Sequence, residues 1–152
     1  MKNIKILCLL LVIACMLYGC NNNLEPVVVL EVELLYAGCF TGMYMYVLQV
    51  TDDNYLSVSN IFADESGKTE LPDETMKKIY KLAAKAIIFE DDYDLYPGGT
   101  LCKEASVNYG GEKNTYRLYD RNIYGENSAP YDLVKLLESL SPIEIVEELY
   151  LE

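Results

Sequence analysis

Residues 27–36 alternate between apolar and polar side chains, and this alternation restricts the fold more than any other feature of the chain. The apolar members are Val28, Leu30, Val32 and Leu34, and Glu31 and Glu33 stand between them. A period of two places the apolar set on one face of an extended segment and the glutamates on the other. We therefore predict a strand with one buried face.

Further strands are predicted from similar patterns at residues 43–51, 55–61, 101–109 and 114–120. Residues 43–51 carry apolar side chains on both faces, so we expect both faces of that strand to be partly covered. Gly110-Gly111 separates the last two strands and predicts a tight hairpin. We predict loops at residues 64–68, around Gly67, and at the acidic, tyrosine-rich residues 89–100.

Helices are predicted at residues 72–87, where an apolar stripe recurs at helical spacing, and at residues 131–140. Residues 141–144 match a capping box and predict a short final helix to about residue 149. Runs of strands joined by short turns are typical of an antiparallel sheet with helices packed on it. The expected fold is α+β: an antiparallel sheet of about five strands, one long helix between strands 3 and 4, and C-terminal helices packed on the sheet.

The first 20 residues have the pattern of a secretion signal. Lys2 and Lys5 precede an uncharged apolar run of 14 residues, from Ile6 to Gly19. As a helix this run would be roughly 21 Å long, which is too short for a hydrocarbon core of about 30 Å. The run is therefore typical of a cleaved leader and not of a membrane-spanning helix.

The leader ends in Leu17-Tyr18-Gly19-Cys20. This ending resembles the lipobox of bacterial lipoprotein precursors, although Tyr18 departs from the small or aliphatic residue usual at that position. The resemblance covers residues 1–20 only, and no motif in the later residues identifies a characterised family. It implies cleavage before Cys20, transfer of a diacylglyceryl group to its thiol, and further acylation, so that the membrane is a partner through the anchor.

The lipobox resemblance also implies a location in the cell envelope. Asn21 follows the lipidated cysteine, where an aspartate would resemble an inner-membrane retention mark. The expectation is the outer membrane in a two-membrane bacterium, and the outer face of the plasma membrane in a one-membrane bacterium. The predicted organisation is a signal peptide at 1–19, a tether at 20–25 and a single α+β domain at 26–152. The tether reaches at most about 20 Å, so we expect the domain close to the membrane.

Composition excludes several classes of function. Without its leader the chain has 10 basic and 24 acidic residues, a net charge of −14, which disfavours binding of nucleic acid. No histidine is present, so triads and metal sites that use histidine are excluded. No metal or other cofactor is predicted. Two acidic segments, Glu90–Asp94 and Asp120–Gly125, resemble calcium loops only in part, and we interpret both as solvated loops.

Two cysteines remain besides the lipidated one. Cys39 and Cys102 would face an oxidising compartment, where they could form a disulfide or stay as buried thiols. A bridge would close a loop of about 60 residues and add roughly 3–4 kcal/mol of stability in the chain-entropy model. A nucleophilic role is disfavoured because no histidine is available to activate either thiol.

Tyrosine and lysine supply the remaining candidate surfaces. Tyr93, Tyr96, Tyr116 and Tyr119 could form a binding surface, since tyrosine has an apolar body and a polar tip. The alternative is that they fill half-buried strand positions.

Lysines at 77, 78, 81 and 85 form the one basic concentration in the sequence. We interpret it either as a solvated helix face or as a face turned toward anionic lipid.

No catalytic residue is predicted, and the expected function is therefore non-enzymatic. We expect an envelope-anchored domain that binds a partner protein, a peptide or a glycan. One alternative is an inhibitor or accessory subunit of an envelope enzyme, which would present a strand edge or a loop to that enzyme. The other alternative, a metal-dependent or thiol enzyme, is disfavoured by the missing histidine and by the lack of any metal-ligand spacing.

Overall fold

The computed structural model of the chain describes residues 25–38, 42–89, 101–118 and 128–145. These residues form six strands and two helices. The strands are β1 (Val28–Gly38), β2 (Gly42–Thr51), β3 (Tyr55–Asn60), β4 (Glu65–Glu70), β5 (Leu101–Tyr109) and β6 (Glu112–Arg117), and the helices are α1 (Asp73–Ile87) and α2 (Ala129–Ser139).

The six described strands form one sheet in the order β4-β3-β2-β1-β5-β6, and every neighbouring pair is antiparallel. The α+β class and the antiparallel sheet are therefore confirmed. The expected count of five strands is wrong. Residues 65–70 form the sixth strand, so the long helix follows strand 4 and not strand 3. The prediction of a loop at residues 64–68, around Gly67, is therefore wrong.

The core lies between one face of the sheet, which we call the inner face, and the two helices. The inner face of the four central strands is almost wholly apolar, with Leu30, Val32, Leu34, Tyr36, Tyr46, Leu48, Val50, Leu56, Val58, Ala105 and Val107 buried there. Helix α1 contributes Met76, Ile79, Ala83 and Ala86, and α2 contributes Leu133, Val134 and Leu137. Burial of this apolar area is the main force that holds the helices to the sheet.

The helices begin where local chemistry favours it. Asp73 and Glu74 occupy the first turn of α1, where carboxylates interact favourably with the helix dipole, and Asn54 Nδ2 donates to Asp73 Oδ1 at 2.8 Å. Ser128 caps α2 by accepting a hydrogen bond from the Tyr131 amide at 3.3 Å. Both helices begin within two residues of the predicted positions.

The predicted helix after residue 141 is absent from residues 141–145, which have no helical turn. The Ser141 hydroxyl does not cap a helix, because it bonds locally to the amide and carbonyl of Ile143. Pro142 and Ile143 instead contact the inner side of β4 at Gly67, and Ile145 is buried. Residues 146–149 of the predicted helix lie outside the described residues.

The sheet has two ends that matter for the placement of the helices. The base end holds the start of β1, the β2–β3 turn and the β5–β6 turn, and the top end holds Gly38, Gly42 and Asn60. Helix α1 crosses near the base, where the Tyr80 and Tyr109 rings lie 6.3 Å apart. Helix α2 lies near the top, where Tyr36 donates a hydrogen bond to Glu138.

The β5–β6 connection confirms the predicted hairpin. Tyr109 pairs with Glu112, so Gly110 and Gly111 are the two turn residues. Both have positive φ, 63° and 84°, as a type I′ turn requires.

In the part of the chain that the structure describes, no helix is long and apolar enough to cross a membrane.

Candidate functional site

The face of the sheet opposite the helices is not covered by any described element, and we call it the outer face. Because side chains alternate along each strand, the residues between the buried positions all lie on this face. Its central members are Glu31, Glu33 and Leu35 of β1, Met43, Met45, Val47 and Gln49 of β2, Ser57 and Ser59 of β3, Glu104 and Ser106 of β5, and Thr115 and Arg117 of β6.

Toward the base and across β5 and β6, the outer face is polar and internally paired. Gln49 Nε2 donates to Glu31 Oε2 at 2.7 Å, and the Ser106 and Thr115 hydroxyls are 2.9 Å apart. Lys113 Nζ lies 2.8 Å from Glu33 Oε2, and this hydrogen bond raises the pKa of Lys113 above its ordinary value. Cross-strand pairs of this kind satisfy the polar groups of the side chains that form them.

Toward the top, the outer face is apolar. We define the top apolar patch as Leu35, Met43, Met45, Val47, Ile61 and Phe62. Leu35 is opposite Met45 in the sheet, and the Ile61 amide donates to the Met45 carbonyl at 2.9 Å. Met43 and Ile61 are each 54% exposed and Phe62 is 59% exposed. Contiguous exposed apolar side chains on a small protein mark a contact surface more often than isolated ones do.

The turn after β3 presents two members of this patch. The Asn60 side chain is buried, and its Oδ1 accepts hydrogen bonds from the amides of Phe62 and Ala63 at 3.1 and 3.3 Å. This side-chain bond to the backbone fixes the turn in the manner of an Asx turn. Ile61 and Phe62 are therefore held exposed in a defined turn, and the backbone of Ile61 is hydrogen-bonded to that of Met45.

A cluster of charged and polar side chains lies inside the protein at the top end. Glu138 of α2 is buried, and its Oε1 accepts from the Tyr36 hydroxyl and lies 2.5 Å from Lys103 Nζ. Lys135 Nζ lies 3.3 Å from Glu138 Oε2. The cluster joins α2 to β1 and β5, and its charges are compensated by one another. We therefore assign it a structural role, as a polar connection between helix and sheet.

At the base end, two tyrosines occupy the space between α1 and the β5–β6 hairpin. Burial raises the pKa of the Tyr80 hydroxyl above its ordinary value, and the nearby Tyr109 and Asp52 raise it further. Tyr80 therefore stays protonated beyond the usual range of a tyrosine. This keeps it neutral under ordinary conditions, as suits a half-buried packing residue.

The structure places the predicted tyrosine surface differently from the expectation. Tyr116 is fully buried, and its hydroxyl donates to the Ala86 carbonyl, so it belongs to the core and not to a binding surface. It stands in an edge strand, but α1 covers that strand from the inner side. Tyr93, Tyr96 and Tyr119 lie outside the described residues.

The predicted cysteine and metal sites involve residues that the structure does not describe. Cys20 and Cys39 lie outside the described residues, as do both acidic segments that resemble calcium loops in part. The backbone of Cys102 pairs with Ala37, two residues before Cys39. Because Cys39 itself is not described, the disulfide stays a prediction. Within the four described ranges, no group of three or more acidic or cysteine residues is arranged to hold a metal ion.

The top apolar patch was not predicted from the sequence, although one signal pointed to it. Residues 43–51 are apolar on both faces, which predicted partial cover on each side. On the inner face of β2, the predicted cover is the core under the helices. On its outer face, Met43, Met45 and Val47 are left uncovered by the described residues. The remaining patch members come from other strands, and their proximity depends on the register.

Comparison with known proteins does not assign this chain to a family. No protein-family model matches the chain, and no curated protein sequence matches it either.

Proposed function

We propose that this chain is a bacterial lipoprotein, anchored in the cell envelope at Cys20, whose domain binds a protein partner through the top apolar patch. The leader and its Leu-Tyr-Gly-Cys ending support the anchor. The single observation that carries the binding role is the position of the patch: three of its six members are exposed, and it lies at the end of the sheet opposite the point where the chain enters the domain.

The geometry gives this position a functional meaning. The tether would join the domain at Val27 and Val28, at the base end, and β1 then runs 11 residues toward the top. At about 3.3 Å per residue, Leu35 lies roughly 23 Å from Val28 along the strand. A domain held at its base by a short tether therefore directs the patch away from the bilayer, where an envelope protein could reach it.

The chemistry of the patch favours a protein as the partner. Methionine side chains adapt to different apolar surfaces, and Phe62 supplies an aromatic anchor of the kind that concentrates binding energy. A glycan would need several polar side chains beside an aromatic one, whereas all six members of the top apolar patch are apolar.

Photo-cross-linking in the native bacterium tests the binding role. A photoreactive residue is placed at Met45 in the tagged, full-length protein, and a matched one at Lys113, on the same face but in its polar part. We expect one defined adduct from position 45 that is lost with the second substitution Phe62→Asp. Equal adducts from both positions, or an adduct unaffected by Phe62→Asp, would contradict the proposal. An envelope enzyme in the adduct would identify the domain as an inhibitor or accessory subunit.

The anchor has a separate test. Cys20→Ser should abolish incorporation of a labelled fatty acid into the protein, because it removes the thiol that accepts the diacylglyceryl group. Mass spectrometry of the N-terminal peptide of the native protein should show Cys20 carrying lipid. An intact leader, or an unmodified Cys20 at the new N-terminus, would contradict the anchor and leave the patch experiment unaffected.

A further inference from the structure

We propose that the lysine face of α1 rests on the anionic lipid headgroups of the bilayer in which Cys20 is anchored. The lysine face consists of Lys77, Lys78, Lys81 and Lys85, all of them exposed. The proposal rests on the lipid anchor proposed above and adds a second, electrostatic contact that sets the orientation of the domain.

The lysines are largely available for such a contact. Lys77 Nζ lies 2.8 Å from Glu74 Oε1, a pair between two exposed side chains. Among the residues that the structure describes, none forms an ion pair with Lys78, Lys81 or Lys85. An exposed lysine ammonium is a mobile point charge on a long stem, which suits it to lipid phosphates that have no fixed geometry.

The packing of α1 turns part of this face toward the base end. Tyr80 projects from α1 toward Tyr109 beside the β5–β6 turn, with 6.3 Å between the ring centroids. Lys77 lies one helical turn before Tyr80 on the same flank, and Lys81 follows it directly around the helix. Ile88, just beyond the end of the helix, is strongly exposed and would reach the apolar side of the headgroup layer.

The entry point of the chain brings this end close to a bilayer. The Val27 amide donates to Asp52 Oδ1 at 2.9 Å, and the Asp52 amide donates to the Val27 carbonyl at 3.0 Å, so the start of the domain is fixed at the β2–β3 turn. Residues 20–25 span at most about 20 Å from there. Exposed charges interact over about 8 Å at physiological salt, and a tether of this length allows the base end to come within that range of the bilayer.

The charge of the rest of the molecule selects this orientation over others. From Cys20 onward, the residues outside α1 include six basic and 22 acidic side chains, whereas α1 has four lysines and two acids. An anionic bilayer therefore repels most of the surface and attracts α1. Asp52 and Asp53 are exposed at the same end. Their repulsion favours a tilt that places α1, and not the β2–β3 turn, against the lipid.

Amine footprinting of the intact lipoprotein tests the proposal without any substitution. The lipidated protein is reconstituted into vesicles of phosphatidylcholine alone, or of phosphatidylcholine with phosphatidylglycerol and cardiolipin. Its lysines are labelled with a small acylating reagent and quantified by mass spectrometry. Lys68 and Lys113 are internal controls, because both are exposed on the outer face of the sheet, whereas α1 packs on the inner face.

We expect labelling of the α1 lysines to fall about threefold or more on anionic vesicles, with recovery at 1 M salt, where screening is strong. Lys68 and Lys113 should change little. Equal labelling of α1 on both vesicle types, or equal protection of the control lysines, would overturn the proposal while the protein remains vesicle-bound. Protein that does not associate with either vesicle type would instead overturn the anchor, and the orientation with it.

A charge-removing variant gives an independent readout. Lys78→Gln with Lys81→Gln and Lys85→Gln removes three charges from exposed positions, so the fold should persist. We expect the salt-sensitive protection of Lys77 to disappear in this variant, whereas Lys68→Gln with Lys113→Gln should leave it unchanged. Persistence of the protection in the triple variant would show that proximity to the bilayer does not depend on these lysines.

Discussion

Glu138 is a buried carboxylate that connects α2 to Tyr36 of β1 and Lys103 of β5. In the sequence it is one acidic residue among 24 and sits in a helix rich in leucine. In the structure its side chain is 3% exposed and interacts with Tyr36, Lys103 and Lys135. A buried carboxylate is tolerated because cations and a hydroxyl donor replace the water that it loses.

Replacing Glu138 with alanine should destabilise the protein by about 2–3 kcal/mol. The substitution removes the acceptor of the Tyr36 hydroxyl and leaves Lys103, whose side chain is 16% exposed, without its carboxylate. Lys103 can still reach water, so the loss should lie below that of a fully buried pair. Urea unfolding of residues 21–152, followed by circular dichroism, measures the change.

Glu74 provides the matched control for this prediction, since it also pairs with a lysine three residues away on a helix. Both members of the Glu74–Lys77 pair are exposed, so Glu74→Ala should change the free energy of unfolding by less than about 0.5 kcal/mol. Equal effects of the two substitutions would mean that burial adds nothing to the Glu138 contacts.

Among the secondary-structure elements, β4 forms without the apolar alternation that predicts a strand. Its sequence, ESGKTE, has no apolar residue, and four of its six residues are exposed. It forms a strand because β3 offers an unpaired edge, and the pairing continues from Asn60–Glu65 to Tyr55–Glu70. Strand formation at an edge is decided by the backbone of the neighbour, which a window of side chains does not reveal.

Gly67 connects this edge strand to the C-terminal segment. A Cβ atom at position 67 would lie 2.8 Å from Pro142 Cγ and 3.1 Å from Ile143 Cγ2. Gly67→Ala should therefore cost about 1–3 kcal/mol through overpacking, measured by urea unfolding. Ser66→Ala, at the neighbouring exposed position, should stay within about 0.5 kcal/mol.

A double substitution shows whether the Gly67 effect comes from this contact. Pro142→Ala removes the Cγ atom that a Cβ at position 67 would meet. The cost of Gly67→Ala should therefore be smaller in the Pro142→Ala background. Additive costs would show that the strain arises elsewhere in β4, and that the C-terminal segment does not pack on this strand in solution.

The elements that the sequence predicted well are those whose signals are local. The long helix has an apolar stripe and an acidic first turn, and the predicted residues 72–87 differ from the observed Asp73–Ile87 by one residue. The hairpin has two glycines at the two positions that need positive φ. The helix predicted after residue 141 is absent from residues 141–145, where the contacts of Pro142 and Ile143 with β4 outweigh a local capping signal.

For the molecule as a whole, the structure predicts a single cooperative unfolding transition. Both helices pack on the same inner face, and α1 spans from β3 and β4 to β6. The sheet also connects two tyrosine ring contacts, Tyr80–Tyr109 at the base end and Tyr36–Tyr46 at the top end. Circular dichroism and tyrosine fluorescence of residues 21–152 should therefore give the same urea midpoint.

Separate midpoints for the two probes would contradict the prediction of one domain at residues 26–152. A convenient control is the same comparison with Glu138→Ala, which weakens the attachment of α2 to the sheet. Both probes should shift together if the molecule is one cooperative unit. A shift in circular dichroism alone would show that α2 can detach while the sheet and α1 remain folded.

The class of fold, most of the strands and both described helices could be predicted from the sequence, because alternation, helical stripes and turn residues are properties of neighbouring positions. The leader pattern likewise depends on adjacent residues, and the anchor at Cys20 can be proposed from them. The burial of Tyr116 and Glu138 and the pairing of residues 65–70 with β3 depend on tertiary contacts. The same contacts bring the members of the top apolar patch to one end of the sheet and turn part of the lysine face toward the base end. These features join residues that are distant in sequence, and their proximity depends on sheet register and on the direction in which α1 crosses the sheet.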